Sequence, residues 1–335
     1  MKPLVSIIIV NWNGGEVLKN CLISLSKLKF PNWELIVVDN GSNDGSEKLI
    51  SNYFSKFKFI KNKTNLGFAP ANNQGYKLAQ GKYILLLNND TKVTTNFLDV
   101  LVEKMEKDPT LGVVQPKILI MDKPDYLDNV GSFFTKTGFL QHVGYMEKDG
   151  KRFDKEKIIF SAKGACMLIR KSIVEKAGLF DESFMSYFEE TDFCFRVYLM
   201  GYKILFVPKS HIFHKVGFSS KRQNQIMVNY HAIKNRMASL IKNLEGKNLL
   251  FIGGLHLFLI IGLGFYYLVK LQIRKSGMIW KALRWNLLNM PVLIKKRHLI
   301  QHIRVRSDSE IFQSIMVDFS WKEMFSHFKK VEANF

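Results

Sequence analysis

Two patterns of apolar positions alternate through the first 120 residues. Near-continuous apolar runs, "LVSIIIV", "ELIVVD" and "YILLLN", are separated by stretches with helical spacing, Glu16 to Leu28 and Ala69 to Ala79. A further helix is expected after "GSNDGS", and a short strand at "KFIKN". Unbroken apolar strands suit a sheet covered on both faces, and the βαβα order supplies the crossovers of a parallel one. The reading is α/β, with a Rossmann-like, mainly parallel sheet. From about 113 to 218 the pattern is less regular, with strand-like "GVVQPKILI", "ACMLIR" and "KILFVP". A helix is expected from about Glu189 to Met200, stopped by Gly201.

Polar residues gather where the first strands end: Asn11 and Asn13, Asp39 and Asn40, then Asn88 to Asp90. In open α/β sheets that edge receives ligands. Gly14, Gly15, Gly41 and Gly45 beside it permit tight turns and close backbone approach to phosphate. Lys2 followed by Leu4 to Val10 resembles the start of a secretion signal, but the run is short, contains Ser6 and leads into "NWNGG". It is expected to be the first buried strand.

The end of the chain follows another pattern. Leu249 to Val269 holds no charged residue over 21 positions, long enough to cross a bilayer. Lysines flank it, and Trp280, Trp285 and the cluster Lys295-Lys296-Arg297 follow. Residues 247–335 carry 14 basic and 5 acidic side chains, a net of +9. The plain alternative is a hydrophobic helix closing over a soluble core, and the glycines and His256 weigh against spanning. The division expected is a main domain over 1–240, in two parts, 1–120 and 121–240, ahead of the tail. Residues 241–335 are then a hydrophobic, basic, membrane-associated helical tail.

Charge narrows the partners. The 335 residues carry a net charge of +20, so an anionic partner is expected, whether nucleic acid, phosphorylated substrate or acidic lipid. Cys21, Cys166 and Cys194 are far apart and show no zinc spacing, which suits thiols in a reducing compartment.

Taken in order, "VSIIIVNWN", "VVDNGSNDGS", "NLGFAPANNQG", "LLLNND" and "FDESFMSYFEETDFCFR" resemble family 2 glycosyltransferases of the GT-A fold. The rhamnosyltransferase-like group that builds bacterial surface polysaccharides is the most similar. The resemblance spans about residues 4 to 220 and implies an inverting, metal-dependent enzyme, with 1–240 as its catalytic domain, 1–120 binding nucleotide-sugar and 121–240 supplying acceptor and catalytic groups. Its donor would be a nucleotide-diphospho-sugar, either dTDP-linked (L-rhamnose) or UDP-linked. Its acceptor would be a saccharide, expected to be lipid-linked, at the cytoplasmic face of the cell membrane.

Carried over position by position, Asn11, Asn13, Asp39, Asn40, Asn65, Gly67, Asn73 and Asn89 would line the donor pocket. Asn65 and Asn73 have a structural alternative as turn formers. The family's metal motif of two acids is reduced here to Asn88 and Asp90. One carboxylate suffices for Mg2+ or Mn2+ when phosphate oxygens complete the shell. His214 matches a histidine that joins the metal in some relatives, with His211 a structural neighbour. The alternative for Asp90 is a helix cap after Thr91.

Inversion needs one carboxylate to take the acceptor's proton. Glu190 stands where the family carries its base, usually an aspartate. Asp192 is the alternative, although its spacing from Arg196 allows a structural pair, and Glu189 comes third. Asp181 and Glu182 match an acceptor-side segment or belong to a surface loop. A nucleotidyltransferase would need cations near Asn11 to Glu16, and none is there. A nucleic-acid binder would not gather acids at strand ends, so no nucleic acid is expected.

Overall fold

The computed structural model describes residues 2–218 and 224–318. Four parallel strands open the sheet: β1 (Val5–Asn11), β2 (Trp33–Asp39), β3 (Lys58–Lys61) and β4 (Tyr83–Leu87), in spatial order 3-2-1-4. Along β1, Val5, Ile7 and Ile9 join one core with Leu18 and Leu22, while Ile8 joins the other with Ile36 and Ala69. Burial on both faces is why these strands read as unbroken apolar runs. The covering helices are α1 (Gly15–Leu25), α2 (Phe68–Leu78) and α3 (Phe97–Lys107). Gly75 lets α2 approach closely, since a Cβ there would lie 2.5 Å from Ile8 Cγ2.

Two local expectations change. The segment after "GSNDGS" is a 3-10 helix, Ser46–Asn52, not an α-helix. It starts from Gly45 at φ +72° and buries only Ser46 and Ile50. Thr91–Val93 is a short strand, β5, so Asp90 does not cap a helix there.

The second half of the sheet is mixed. It contains β6 (Leu111–Ile120), β7 (Lys123–Asn129), β10 (Lys157–Ile158), β11 (Cys166–Arg170) and β12 (Lys203–His214). A small separate sheet starts with β8 (Ser132–Thr135) and β9 (Leu140–His142). The large sheet runs 10-12-6-11-4-1-2-3, with β11 antiparallel to both β4 and β6. Pro116 sits inside β6 and cannot donate to a ladder. Opposite it β12 bulges, its register stepping from Val207–Pro116 to His211–Lys117. Beyond the bulge β12 pairs with β5 and brings His214 alongside Thr91.

Helices α4 (Lys171–Ala177) and α5 (Glu189–Leu199) complete this half, and Gly201 ends α5 with φ +88°. Then follow α6 (Gln225–Asn243), α7 (Gly246–Val269), α8 (Ile273–Leu288), α9 (Met290–His302) and α10 (Asp308–Ile315). Helix α6 packs on α5, α8 and α9, and α8 packs on α7. A last strand, β13 (Met316–Val317), pairs with β8. The tail therefore returns to the sheet domain, and its residues 319–335 lie outside the described set.

Candidate active site

The ends of β1, β2 and β4 form one buried polar lattice. Asn11 Nδ2 donates to Asp39 Oδ2 at 2.9 Å and to Ser46 Oγ at 2.9 Å, while Asn89 Nδ2 donates to Asn11 Oδ1 at 2.8 Å. The other oxygen of Asp39 receives the Ser42 amide at 3.0 Å. Gly14 is required here, because a Cβ would fall 2.2 Å from Asn11 Oδ1 and 2.7 Å from Asn89 Nδ2. Asn13, at φ +49°, accepts the Asn43 amide at 2.9 Å and so ties the β1 end to the turn after β2.

Asn40 organises the next rim. Its Nδ2 donates to Asn65 Oδ1 at 2.9 Å and to the Gly67 carbonyl at 3.1 Å, and its Oδ1 accepts the Leu66 amide at 3.0 Å. Asn65 also accepts the Gly67 amide at 2.9 Å. Asn40, Asn65 and Gly67 thus stand together. Asn73 is placed elsewhere: its amide donates to Phe180 O at 2.9 Å and to Glu182 Oε1 at 3.1 Å, holding the loop before α5.

At the β4 end, Asp90 Oδ1 and Asn88 Oδ1 are buried atoms without a hydrogen-bond donor. His214 Nε2 comes within 3.2 Å of Asp90 Oδ1, off the line a hydrogen bond needs. The other imidazole nitrogen, Nδ1, donates to Asp128 Oδ2 at 2.8 Å, and Lys163 Nζ donates to Asp128 Oδ1 at 2.6 Å. With Nδ1 bonded to Asp128, a bound cation that displaced the second ring proton would meet Nε2 beside Asp90. Burial works against charge on His214, but Asp128 and Asp90 outweigh it and raise the imidazole to about 9. Burial likewise opposes the Asp128 carboxylate, yet Lys163 and His214 lower it to about 2.

Two orphaned oxygens and an imidazole nitrogen are the donor types that suit a divalent cation completed by phosphate and water. Among the described residues no cluster of three or more His, Cys, Asp or Glu side chains could hold one unaided.

Helix α5 starts in unusual backbone. Met185, Tyr187 and Phe188 have φ of +61°, +71° and +73°. Side-chained residues held in such sparsely populated regions cost on the order of 1–3 kcal/mol each. One amide holds the segment: Asn235 Nδ2 of α6 donates to Phe184 O, Ser186 O and Tyr187 O at 3.1, 3.0 and 2.6 Å. Glu189 and Glu190 follow at the positive end of the helix. Burial raises both carboxyls, and the Glu190 charge raises Glu189 further, while Lys163 opposes the rise at Glu190. Glu190 Cβ lies 3.8 Å from where Gly164 would carry a Cβ, and the Asn88 amide bonds Ala165 O at 3.0 Å. One loop therefore borders both Glu190 and the β4 end.

Asp192 is differently occupied. It receives Arg196 Nε at 3.3 Å, Lys242 Nζ at 3.1 Å and Asn243 Nδ2 at 2.9 Å. Asp181 points into the same network, holding Lys242 of α6 at 2.7 Å and Lys296 of α9 at 2.5 Å. Glu182 is held by Asn73 instead. Asp128, Lys163 and Asn235 were missed by motif reading. Only the polar end of the "YLDN" strand hinted at Asp128.

Residues 6–178, just over half the chain, match the family model for glycosyl transferase family 2. The chain is 25% identical over 211 residues to the poly-beta-1,6-N-acetyl-D-glucosamine synthase of Staphylococcus epidermidis, covering 62% of this chain and 48% of that protein. It is 28% identical over 198 residues to the low-salt glycan biosynthesis hexosyltransferase of Haloferax volcanii, covering 57% and 60%. The chain thus spans about half the length of the staphylococcal relative.

Among solved structures, S. aureus TarS 1–349 in complex with UDP-GlcNAc superposes with a TM-score of 0.58 at 17% identity, covering 90% of each chain. The mannosyltransferase PcManGT from Pyrobaculum calidifontis, in complex with GDP-Man and Mn2+, gives 0.54 at 14% identity, covering 90% and 86%. At such identities these neighbours speak for the fold, which is GT-A. With the family model matched along the strands that carry the polar lattice and Asp90, the chain belongs to glycosyl transferase family 2.

Proposed function

We propose that the protein is an inverting glycosyltransferase that moves a sugar from a nucleotide-diphospho-sugar to a saccharide during cell-surface polysaccharide synthesis. The observation that carries this reading is the β4 end, where Asp90 Oδ1 lies beside His214 Nε2 and, like Asn88 Oδ1, lacks a donor. Asp90, Asn88 and His214 would hold Mg2+ or Mn2+, which when bound supplies positive charge to the departing diphosphate. Asp39, Asn40 and the Asn65–Gly67 rim would receive the nucleoside, and Asn11 with Asn89 keeps that edge in shape.

Glu190 is the base. It takes the proton from the acceptor hydroxyl as that oxygen bonds the anomeric carbon, while the bond from that carbon to the diphosphate oxygen breaks on the opposite face. Its raised affinity for protons moves it towards the range in which a general base works best. Asp192 is fully engaged with cations and an amide, which favours Glu190. The acceptor is lipid-linked and met at the cytoplasmic face of a membrane, a reading supported by the uncharged helix α7 and its basic surroundings.

The test is to incubate the purified chain with UDP- and dTDP-sugars, L-rhamnose among them, with Mn2+, with Mg2+ and with excess chelator. Metal-dependent release of nucleoside diphosphate from one donor is expected. Undiminished turnover after verified metal removal would refute the metal assignment, and no release from any donor would refute the activity.

A further inference from the structure

Helix α7 is long enough to span a bilayer: its 24 residues reach about 36 Å at 1.5 Å each. Its surroundings argue for a different seat. Ile252, His256, Ile260, Gly264 and Tyr267 recur at three- and four-residue steps and are all buried. They form one stripe turned to the protein. The middle of the stripe touches the sheet domain, where His256 Nδ1 lies 2.8 Å from Thr137 O and its ring packs on Phe139.

Both ends of α7 are tied down as well. At the start, the Glu245 amide and Asn248 Nδ2 bond Asp308 at 2.8 and 3.0 Å. At the far end, Ser276 Oγ of α8 donates to Gly264 O at 2.9 Å, and α8 returns to α6 through Asn286 Nδ2 to Lys234 O at 3.0 Å. A helix crossing a bilayer would leave its two ends on opposite sides and its middle in hydrocarbon, away from Thr137.

The opposite face is bare and apolar. Phe251, Phe258, Phe265 and Val269 are 67, 71, 55 and 81% exposed, and Leu287 and Leu288 of α8 and Leu299 of α9 are exposed as well. Residues 246–307 contain eleven Lys or Arg and no Asp or Glu. Two copies meeting through this face would bring like charges together, whereas an anionic lipid surface complements it.

We propose that α7, with the outer edges of α8 and α9, lies in the plane of an anionic membrane surface and does not cross it. The apolar stripe sinks to the acyl boundary while Lys270, Arg274, Lys281 and Arg284 meet the headgroups. The proposal rests on the membrane reading given above and fixes its geometry.

The test uses the full chain and sealed vesicles, either phosphatidylcholine alone or phosphatidylcholine with an equal part of phosphatidylglycerol. Flotation is expected with the anionic vesicles and at least about tenfold less with the neutral ones. The double variant Phe258→Asp, Phe265→Asp should lower the floated fraction at least about tenfold while keeping thermal unfolding and nucleotide binding. The native cysteines are buried, so single introduced thiols report position. Lys247→Cys and Lys270→Cys should both react with an impermeant maleimide added outside, and Phe258→Cys should become shielded. Protection of one end alone means that the helix crosses, which overturns the in-plane geometry and leaves membrane association standing. Absence of flotation overturns both, and a dimer dispersed by Phe258→Asp would show that a second copy covers the face.

Discussion

The Nε2 of His214 and the Oδ1 of Asp90 stand 3.2 Å apart, and that oxygen still receives no hydrogen bond. A buried carboxylate oxygen in this condition is costly unless something else completes it. Asp90→Asn and His214→Ala should therefore each weaken Mn2+ binding in the presence of nucleoside diphosphate and abolish transfer. Electron paramagnetic resonance of free Mn2+ checks the first, and unchanged Mn2+ affinity in both variants would rule out the pair.

Asp128 acts through His214. It holds the ring by Nδ1 and is itself held by Lys163. Carboxylates in this position typically contribute 10–100-fold to metal affinity. Asp128→Asn should lose about that much Mn2+ affinity, measured by the same titration, with smaller change in nucleotide binding without metal.

Glu190→Gln should cost on the order of 10²–10⁴-fold in kcat with little change in donor affinity. Asp192→Asn should keep turnover per folded molecule but cost roughly 3–5 kcal/mol of stability, since it leaves Lys242 and Arg196 short of a buried partner. Denaturant unfolding beside single-turnover kinetics separates the two, and the reverse result would exchange their roles. Because burial raises the Glu190 carboxyl, turnover should fall as pH drops, with an inflection above the usual glutamate range.

Much of this was legible because the chemistry is local. Strands buried on both faces show as apolar runs whatever their partners, and their polar ends marked Asp39, Asn40 and Asp90. Asp192 with Arg196 followed from helical spacing alone. Asn73 was not legible. It shares a motif with Asn65, yet its partners are Phe180 and Glu182, more than a hundred residues away. Asp128 meets Lys163 and His214 only because β7, the loop before β11 and the end of β12 converge. The 3-10 turn at Ser46–Asn52 was hidden by a pattern that cannot separate short helix types.

Asp181 and Asp192 make a stability prediction with a definite sign. Burial alone would raise both carboxyls, but Lys242 outweighs it at each, aided by Lys296 at Asp181 and Arg196 at Asp192, so both are held below the ordinary range. A depressed folded value stabilises the fold above the unfolded value of about 4, and that contribution disappears as pH falls. Thermal stability should fall from about pH 4 downward, and Asp181→Asn should flatten that slope. An unaltered slope would show that the network contributes nothing to docking the tail.

The ties from Lys242 and Lys296 to Asp181 also govern where the chain can be shortened. Ending it near Glu245 removes Lys296, Arg297 and Gln301, which bond Asp181 and the carbonyls of Ile241 to Asn243. Such a cut exposes the seam of the enzyme instead of trimming an anchor. The same seam joins the tail that carries the outward face of α7 to the loop before α5. If that face rests on lipid, the catalytic groups ride at one fixed height, as on a bracket and not a leash. Acceptors would then be sorted by how far their reacting hydroxyl stands above the headgroups, which makes the tail a ruler for the growing glycan.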